Sequence, residues 1–312
     1  MSTHQLKIVA MSLAVLLLLW GGSELFSRGS DSVTGARPFP PLMAADVDSI
    51  VLQGGDSVVL VKQSPTAWTV NGHRAVTADV TDLLQALKDT ARPELVAQDV
   101  SSFARLQVDS ATGHWLRVFH GGKPVVQLIA GARGSDYQST YVRRPGDAHV
   151  FLWRGALVSL AGRHAEDWRD KRIATLEPDS ITALDVERGK ERYTLKRAAK
   201  TWTVNGRATD SAAVRRYLER LKSITAAGFA TPKQVDSTQA LRPRRRLGVR
   251  SSRGLLLSLA FDSIPAAFVV RHLGGVGGEG ATVYRMNTWD VDAVTPTSQS
   301  LEPPSKPKPA KH

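Results

Sequence analysis

Three stretches of this sequence hold residues whose types and spacing could do chemistry. The first is RPRRRLGVRSSR, in which Arg242, Arg244, Arg245, Arg246, Arg250 and Arg253 occur without a single acid. Guanidinium groups at that density would hold a polyanion, either lipid headgroups or an anionic envelope polymer, through charge-assisted contacts that salt weakens. The competing reading is a solvated strand edge. The second is GVGGEG at 275–280, which fits G-x-G-x-x-G. Binding a pyrophosphate there needs a strand before the glycines and a helix N-terminus after them. The residues that follow, ATVYRMN, are strand-like, so the run reads as a hairpin loop. The third is His164 with Glu166, Asp167 and Asp170, which could gather a divalent ion. Arg163, Arg169, Lys171 and Arg172 surround them, so ion pairing is the expected use.

Other chemistry is not announced. Eight histidines are scattered, with no H-x-x-x-H and no H-E-x-x-H. There is no G-x-S-x-G elbow, no S-x-x-K and no Walker loop. The absence of cysteine excludes disulfides, thiolate metal sites and a cysteine nucleophile. The expectation is therefore a non-enzyme with no catalytic residue, no cofactor and no metal. A hydrolase whose site is assembled only in space is kept as a further alternative.

What must position these residues is a unit written twice. AWTVNG at 67–72 returns as TWTVNG at 201–206. Placing Trp68 on Trp202 sets an offset of 134, which also matches Asn71 with Asn205, Gly72 with Gly206, Leu84 with Leu218 and Ile50 with Leu184. The agreement falls on apolar and turn positions, as an internal duplication requires. In each copy two apolar runs flank a turn (VDSIVLQGGDSVVLVK and ITALDVERGKERYTLK), and a short strand ends in Asn-Gly. A helix follows, with Val80, Leu83, Leu84 and Leu87 on one face behind a Thr/Asp cap, and Val214, Tyr217, Leu218 and Leu221 in the second copy. The fold class predicted is α+β: two tandem repeats, each a mostly antiparallel sheet packed with one main helix, behind an N-terminal membrane helix.

Beyond the helix the second halves read as β-rich, aligned at an offset of 141 that pairs Leu106 with Leu247 and Gly113 with Gly254. On that alignment copy two gains seven residues at its arginine run and skips the last hairpin. Residues 1–26 read as a membrane anchor or signal peptide, on the uncharged run IVAMSLAVLLLLWGGS, and 27–46 as a linker. Repeat 1 is 47–166, a connector 167–180, repeat 2 181–295, and a disordered Pro/Lys tail 296–312. Trp168 is expected to wedge between the two repeats. The formal charge of +12 is local: the arginine run and the three lysines of the tail supply most of it, and no nucleic-acid-binding motif accompanies them.

The run W-R-D-K, followed by I..L....I..L.V, a Y.LKR strand and W.VNG, resembles an uncharacterised bacterial family known as a domain of unknown function. AGARGSDYQSTYVRRPGDAHVFLW resembles the same family's Gly-rich hairpin and its Tyr-Val-Arg strand. The likeness covers roughly residues 47–295. It implies a membrane-anchored, extracytoplasmic (periplasmic) protein similar to the auxiliary components of gliding-motility-type ABC transporters, with an ABC-type permease and ATPase as partners. The expected function is a non-catalytic accessory or scaffold. The alternative is a module binding an anionic envelope polymer or lipid through the 242–253 arginines.

Overall fold

The computed structural model describes residues 39, 42–88, 93–155, 157–199, 201–239 and 242–304. The expected N-terminal membrane helix and most of the linker lie outside the described residues. Among the described residues no helix is long and apolar enough to cross a membrane. The chain divides into two compact units between Asp170 and Lys171.

In the first unit β1 (Ser49–Gln53), β2 (Ser57–Ser64), β3 (Ala67–Val70) and β4 (His73–Arg74) form a meander that leads into α1 (Thr77–Leu87). Then come β5 (Glu94–Ala97), α2 (Phe103–Leu106), β6 (His114–His120), β7 (Lys123–Arg133), β8 (Ser139–Arg143), β9 (Val150–Arg154), α3 (Leu157–Ala161) and α4 (Ala165–Trp168). The nine strands make one sheet in the order β4-β3-β2-β1-β6-β7-β8-β9-β5. Period-two alternation drives Ile50, Leu52, Leu60, Leu116, Val118, Leu128 and Trp153 to one face, where α1 buries Val80, Leu83, Leu84 and Leu87 against them. Each of those four helix side chains stabilises the packing by about 2 kcal/mol. On the opposite face a small separate cluster of Leu106, Val108 and Val150 lies with Phe103 of α2.

The second unit adds β10 (Arg172–Thr175) and then repeats the plan with β11 (Ala183–Arg188), β12 (Glu191–Ala198), β13 (Thr201–Val204), β14 (Arg207–Ala208) and α5 (Ser211–Leu221). A short β15 (Ser223–Thr225) pairs with β10. It continues with β16 (Gly228–Phe229), α6 (Pro232–Gln239), β17 (Arg245–Ser251), β18 (Gly254–Ile264), β19 (Ala267–Gly275), β20 (Val283–Asn287) and α7 (Thr288–Val294). Its sheet order, β14-β13-β12-β11-β17-β18-β19-β20-β16, is the first order copied strand for strand. Every pairing in both large sheets is antiparallel.

This identity overturns the alignment of the second halves. Val118 pairs with Ile50 in the first sheet, and Val249 with Leu184 in the second, so the offset there is 131 (249 less 118). The arginine run is thus no insertion: it is β17, the counterpart of HWLRVFH. No hairpin is skipped either, because β19 and β20 stand where β8 and β9 stand. Even an irregularity is copied. The ladder slips between Val118 and Phe119 against β7, and between Val249 and Arg250 against β18.

Past residue 156 the chain forms two short helices, α3 and α4, and Asp167 turns back to accept from His164 N at 3.1 Å and caps α4. Two further expectations change. The Thr/Asp cap exists only in copy two, where Asp210 accepts from Ala212 N at 2.8 Å; the matching residue is Val76, whose N–H instead reaches Trp168 O at 2.8 Å. The tail from 296 is ordered as far as described. Ser298–Leu301 form a 3-10 turn with Leu301 buried, and Tyr193 donates to Pro296 O at 2.7 Å. Residues 305–312 lie outside the described residues.

Candidate functional site

β17 is the fifth strand of nine in its sheet, so its two faces meet different surroundings. Leu247 and Val249 point into the core, and Arg246, Gly248 and Arg250 alternate onto the other face. The structure therefore splits the six arginines. Arg245, at the start of the strand, turns to the core side: its Nη1 lies 2.5 Å from Asp292 Oδ1 of α7, its guanidinium sits 4.8 Å from the Phe268 ring centroid, and only 13% of the side chain is exposed. It is a packing residue. Arg242 and Arg244 are exposed just before the strand, Arg246 and Arg250 on its outer face, and Arg253 in the turn after it.

Opposite charge thins this patch. In the ladder Glu187 faces Arg246 and Asp185 faces Gly248. Arg250 Nη2 reaches Asp185 Oδ2 at 2.9 Å while remaining 62% exposed, and Thr194 Oγ1 donates to Asp185 Oδ1 at 2.9 Å. Arg192 approaches Glu187 at 3.8 Å. These are solvated cross-strand pairs worth little to stability. Arg242, Arg244, Arg246 and Arg253 stay exposed outside these ion pairs, and at the end of the strand Arg253 stands beside the paired but exposed Arg250.

Sequence reasoning missed another pair of arginines. Arg143 on β8 pairs in register with Val150, and Arg271 on β19 with Val283, so the two occupy the same place in the two sheets. Both hold down the helix that interrupts the β5–β6 or β16–β17 connection. Arg143 is buried, lies 4.1 Å over the Phe103 ring of α2, and donates from Nε to Val108 O at 2.9 Å. Burial lowers its affinity for the proton, with Asp147 and Asp109 opposing. Arg271 donates to Thr238 Oγ1 at 2.6 Å, on α6, and to the carboxylate of Asp262. Asp262 is only 1% exposed, and burial pushes its carboxyl up despite Arg271 and Arg246 nearby. Its counterpart is Gly131, where an added Cβ would lie 2.3 Å from Leu106 O. Copy one brings backbone to this spot and copy two fills it with a carboxylate. The signal in the sequence was Val-Arg in YVRR and FVVRH, visible only once the strands are aligned correctly.

The other singled-out residues are structural. Asn71 and Gly72 have φ of 48° and 83°, and Asn205 and Gly206 have 48° and 80°, the positive pair of a I′ turn. Each asparagine also accepts a backbone N–H from the neighbouring strand: Val59 at 2.8 Å and Thr194 at 3.0 Å. Trp68 is buried and Trp202 partly so, each on the core face. Trp168 is a fully buried member of the first unit's core rather than the expected wedge, and its carbonyl takes the N–H of Val76 at the start of α1. His164 Nδ1 meets Asp56 at 3.0 Å and Arg163 meets Asp79 at 3.2 Å, and among the described residues no three metal-capable side chains gather. GVGGEG joins β19 to β20, strand to strand. The loop is fastened by Val276 N to Leu256 O and Gly278 N to Ile173 O, both at 2.7 Å.

Against known proteins, the family described as "Domain of unknown function (DUF4340)" matches residues 68–243, from the first tryptophan of copy one into the loop before β17. No curated protein and no solved structure matches the chain.

Proposed function

The chain belongs to the DUF4340 family, and from that premise we propose that it is a non-catalytic accessory or scaffold protein that presents two copies of one sheet platform to partner subunits. One observation carries this reading. What the two copies share, position by position, is the machinery of the fold: the Asn-Gly turns, the apolar face under α1 and α5, the slip in the β6–β7 and β17–β18 ladders, and the buried strand arginine. Duplicated frames whose polar surfaces differ suit docking of unlike partners better than chemistry at one centre.

The likeness of its motifs to auxiliary components of ABC-type transporters supports the partner assignment, a permease with its ATPase. It also supports an extracytoplasmic placement behind a membrane anchor. Affinity purification of the full chain from detergent-solubilised membranes is expected to bring down both subunits. Repeated purifications that bring down neither would refute the assignment.

A further inference from the structure

We propose that the β17–β18 corner of the second unit is a membrane-docking surface that seats on an anionic phospholipid bilayer. Three aliphatic side chains are displayed there: Leu255 is 52% exposed, Leu273 54% and Val276 45%. They come from the start of β18, the end of β19 and the loop after it. Leu255 lies across Gly274, whose hypothetical Cβ would be 3.5 Å from Leu255 Cδ2, an ordinary contact distance that places the side chain over the end of β19. The loop that displays Val276 is fastened through its own N–H to Leu256 O, which holds the apolar tip in place before any ligand arrives.

Cations flank these side chains in an ordered row. Across the sheet, Lys196 pairs with Ala183, Ala183 with Arg250, and Arg250 with Leu255. Neighbouring strands lie about 4.8 Å apart, so Lys196 and Arg250 are about 10 Å apart on one face. Arg253 sits in the turn immediately beyond. Two carboxylates moderate this charge: Asp185 pairs with Arg250, and Glu279 in the neighbouring loop accepts from Thr282 Oγ1 at 3.2 Å.

Lipid is favoured over a soluble anionic polymer by the pairing of the two features. Guanidinium and ammonium groups gain from phosphates in either case, but exposed leucine and valine gain only from a ligand that also offers hydrocarbon. The first unit supplies an internal contrast. At the matching corner Phe119 stands for Arg250 and Pro124 for Leu255, Phe119 is buried, and the turn N–H of Gly121 donates to Asp48. That corner keeps the strand pairing but turns on Gly121 and Gly122, at φ of 55° and 73°, where the second unit has Ser252 and Arg253, and it lacks the lipid-seeking side chains.

This inference stands apart from the partner assignment, since failure to co-purify a transporter would leave it untouched. The test exploits the lack of cysteine. Val276→Cys in the full chain carries an environment-sensitive fluorophore, and Tyr137→Cys, 76% exposed in the first unit, carries the same dye as a control. Each is added to vesicles of phosphatidylglycerol or of phosphatidylcholine. The Val276 label should shift to the blue with phosphatidylglycerol only, and the Tyr137 label with neither. Arg250→Gln with Arg253→Gln should weaken local docking about thirtyfold, two basic groups' worth at an anionic surface. The Val276 shift should then vanish even where the chain still sediments with the vesicles. The proposal is overturned if the Val276 label stays unshifted, shifts equally on both lipids, or keeps its shift in the double variant. A shift of the same size with soluble poly(glycerol phosphate) would also overturn it.

Discussion

Replacing Arg271 with leucine strips the only side-chain hydrogen-bond donor given to Asp262 among the described residues. The carboxylate is 1% exposed, and its Oδ1 has no hydrogen-bond partner among the described residues. Removing one partner of such a pair costs about 3–5 kcal/mol, because a charge is left buried and uncompensated. The converse, Asp262→Ala, should cost less, about 1–2 kcal/mol, since Arg271 is 23% exposed and keeps Thr238. The double variant removes both charges and should be less destabilised than Arg271→Leu alone, a coupling of about 2–3 kcal/mol. Acid should help to expose the cause. Burial already raises the carboxyl, so its contribution to stability is greatest when protonated, below the ordinary carboxylate range, and is lost as pH rises through the raised value. Without Arg271 that value rises further, so the deficit should shrink as the solution is acidified. Urea unfolding of the single and double variants at neutral and acid pH, with hydrogen exchange of the β18 amides to place the effect, measures each quantity. A neutral-pH cost for Arg271→Leu below about 1 kcal/mol, a pH-independent cost, or strict additivity in the double variant would refute the reasoning.

Three other outcomes follow from the same structure. Asn71→Ala and Asn205→Ala should each lose about 2 kcal/mol in urea unfolding, from the bond accepted from the neighbouring strand and a left-handed backbone without asparagine, with Asn71→Ala the larger loss because Asn71 Nδ2 also donates to Ser57 O at 3.0 Å. Gly131→Ala should destabilise the first unit by about 1–3 kcal/mol, read by hydrogen exchange in β7, because its Cβ meets the Leu106 carbonyl; Gly55→Ala, whose Cβ would have only His164 Cε1 at 3.9 Å, should not. On acidification the first unit should loosen before the second. Burial lowers the affinity of His114 for a proton, so its contribution is present above the ordinary imidazole value and lost as pH falls. Turn hydrogen bonds hold Asp109 and Asp136 below the ordinary carboxylate value, so theirs is lost at still lower pH, whereas Asp262 in the second unit has the opposite sign. Exchange of β6 and β17 amides across an acid series checks the order.

The first half of each repeat was legible because its determinants are local. Asn-Gly fixes a turn, a 3.6-residue period fixes a helix face, and both survive in both copies, so the 134 offset and the buried residues of α1 and α5 follow from pattern alone. The second half was not. Its strands are defined by pairing across the sheet, and β17 carries arginine where β6 carries histidine, tryptophan and phenylalanine, so matching apolar letters slid the alignment to the wrong strand. The same error hid Arg143 and Arg271, since a buried arginine looks like a surface one until its partners are seen. Likewise Arg245 is indistinguishable from Arg246 in sequence, and one step along the strand sends it to Asp292 instead of to solvent. Trp168 looked like a joint because it lies in a polar stretch; the bond from Val76 to its carbonyl, which draws it into the core, joins residues far apart in sequence.

The place where the two copies part is informative because so much around it does not. Each sheet slips its ladder after the same residue, Val118 or Val249, so each presents the next residue at an equivalent point in the ladder, ahead of turns that differ in backbone conformation. In copy one that residue is Phe119, 5% exposed; in copy two it is Arg250, 62% exposed. A frame drifting without constraint would be expected to lose the slip along with the side chain it presents, since a slipped ladder leaves backbone groups to be satisfied and brings no packing advantage of its own. Keeping the slip while exchanging a buried aromatic for an exposed cation is what a retained geometry with a new surface task would leave behind. The exposed leucines beside Arg250 sharpen the point. Displaying them to water costs solubility, and side chains that seat on a bilayer are the kind whose display brings an offsetting gain.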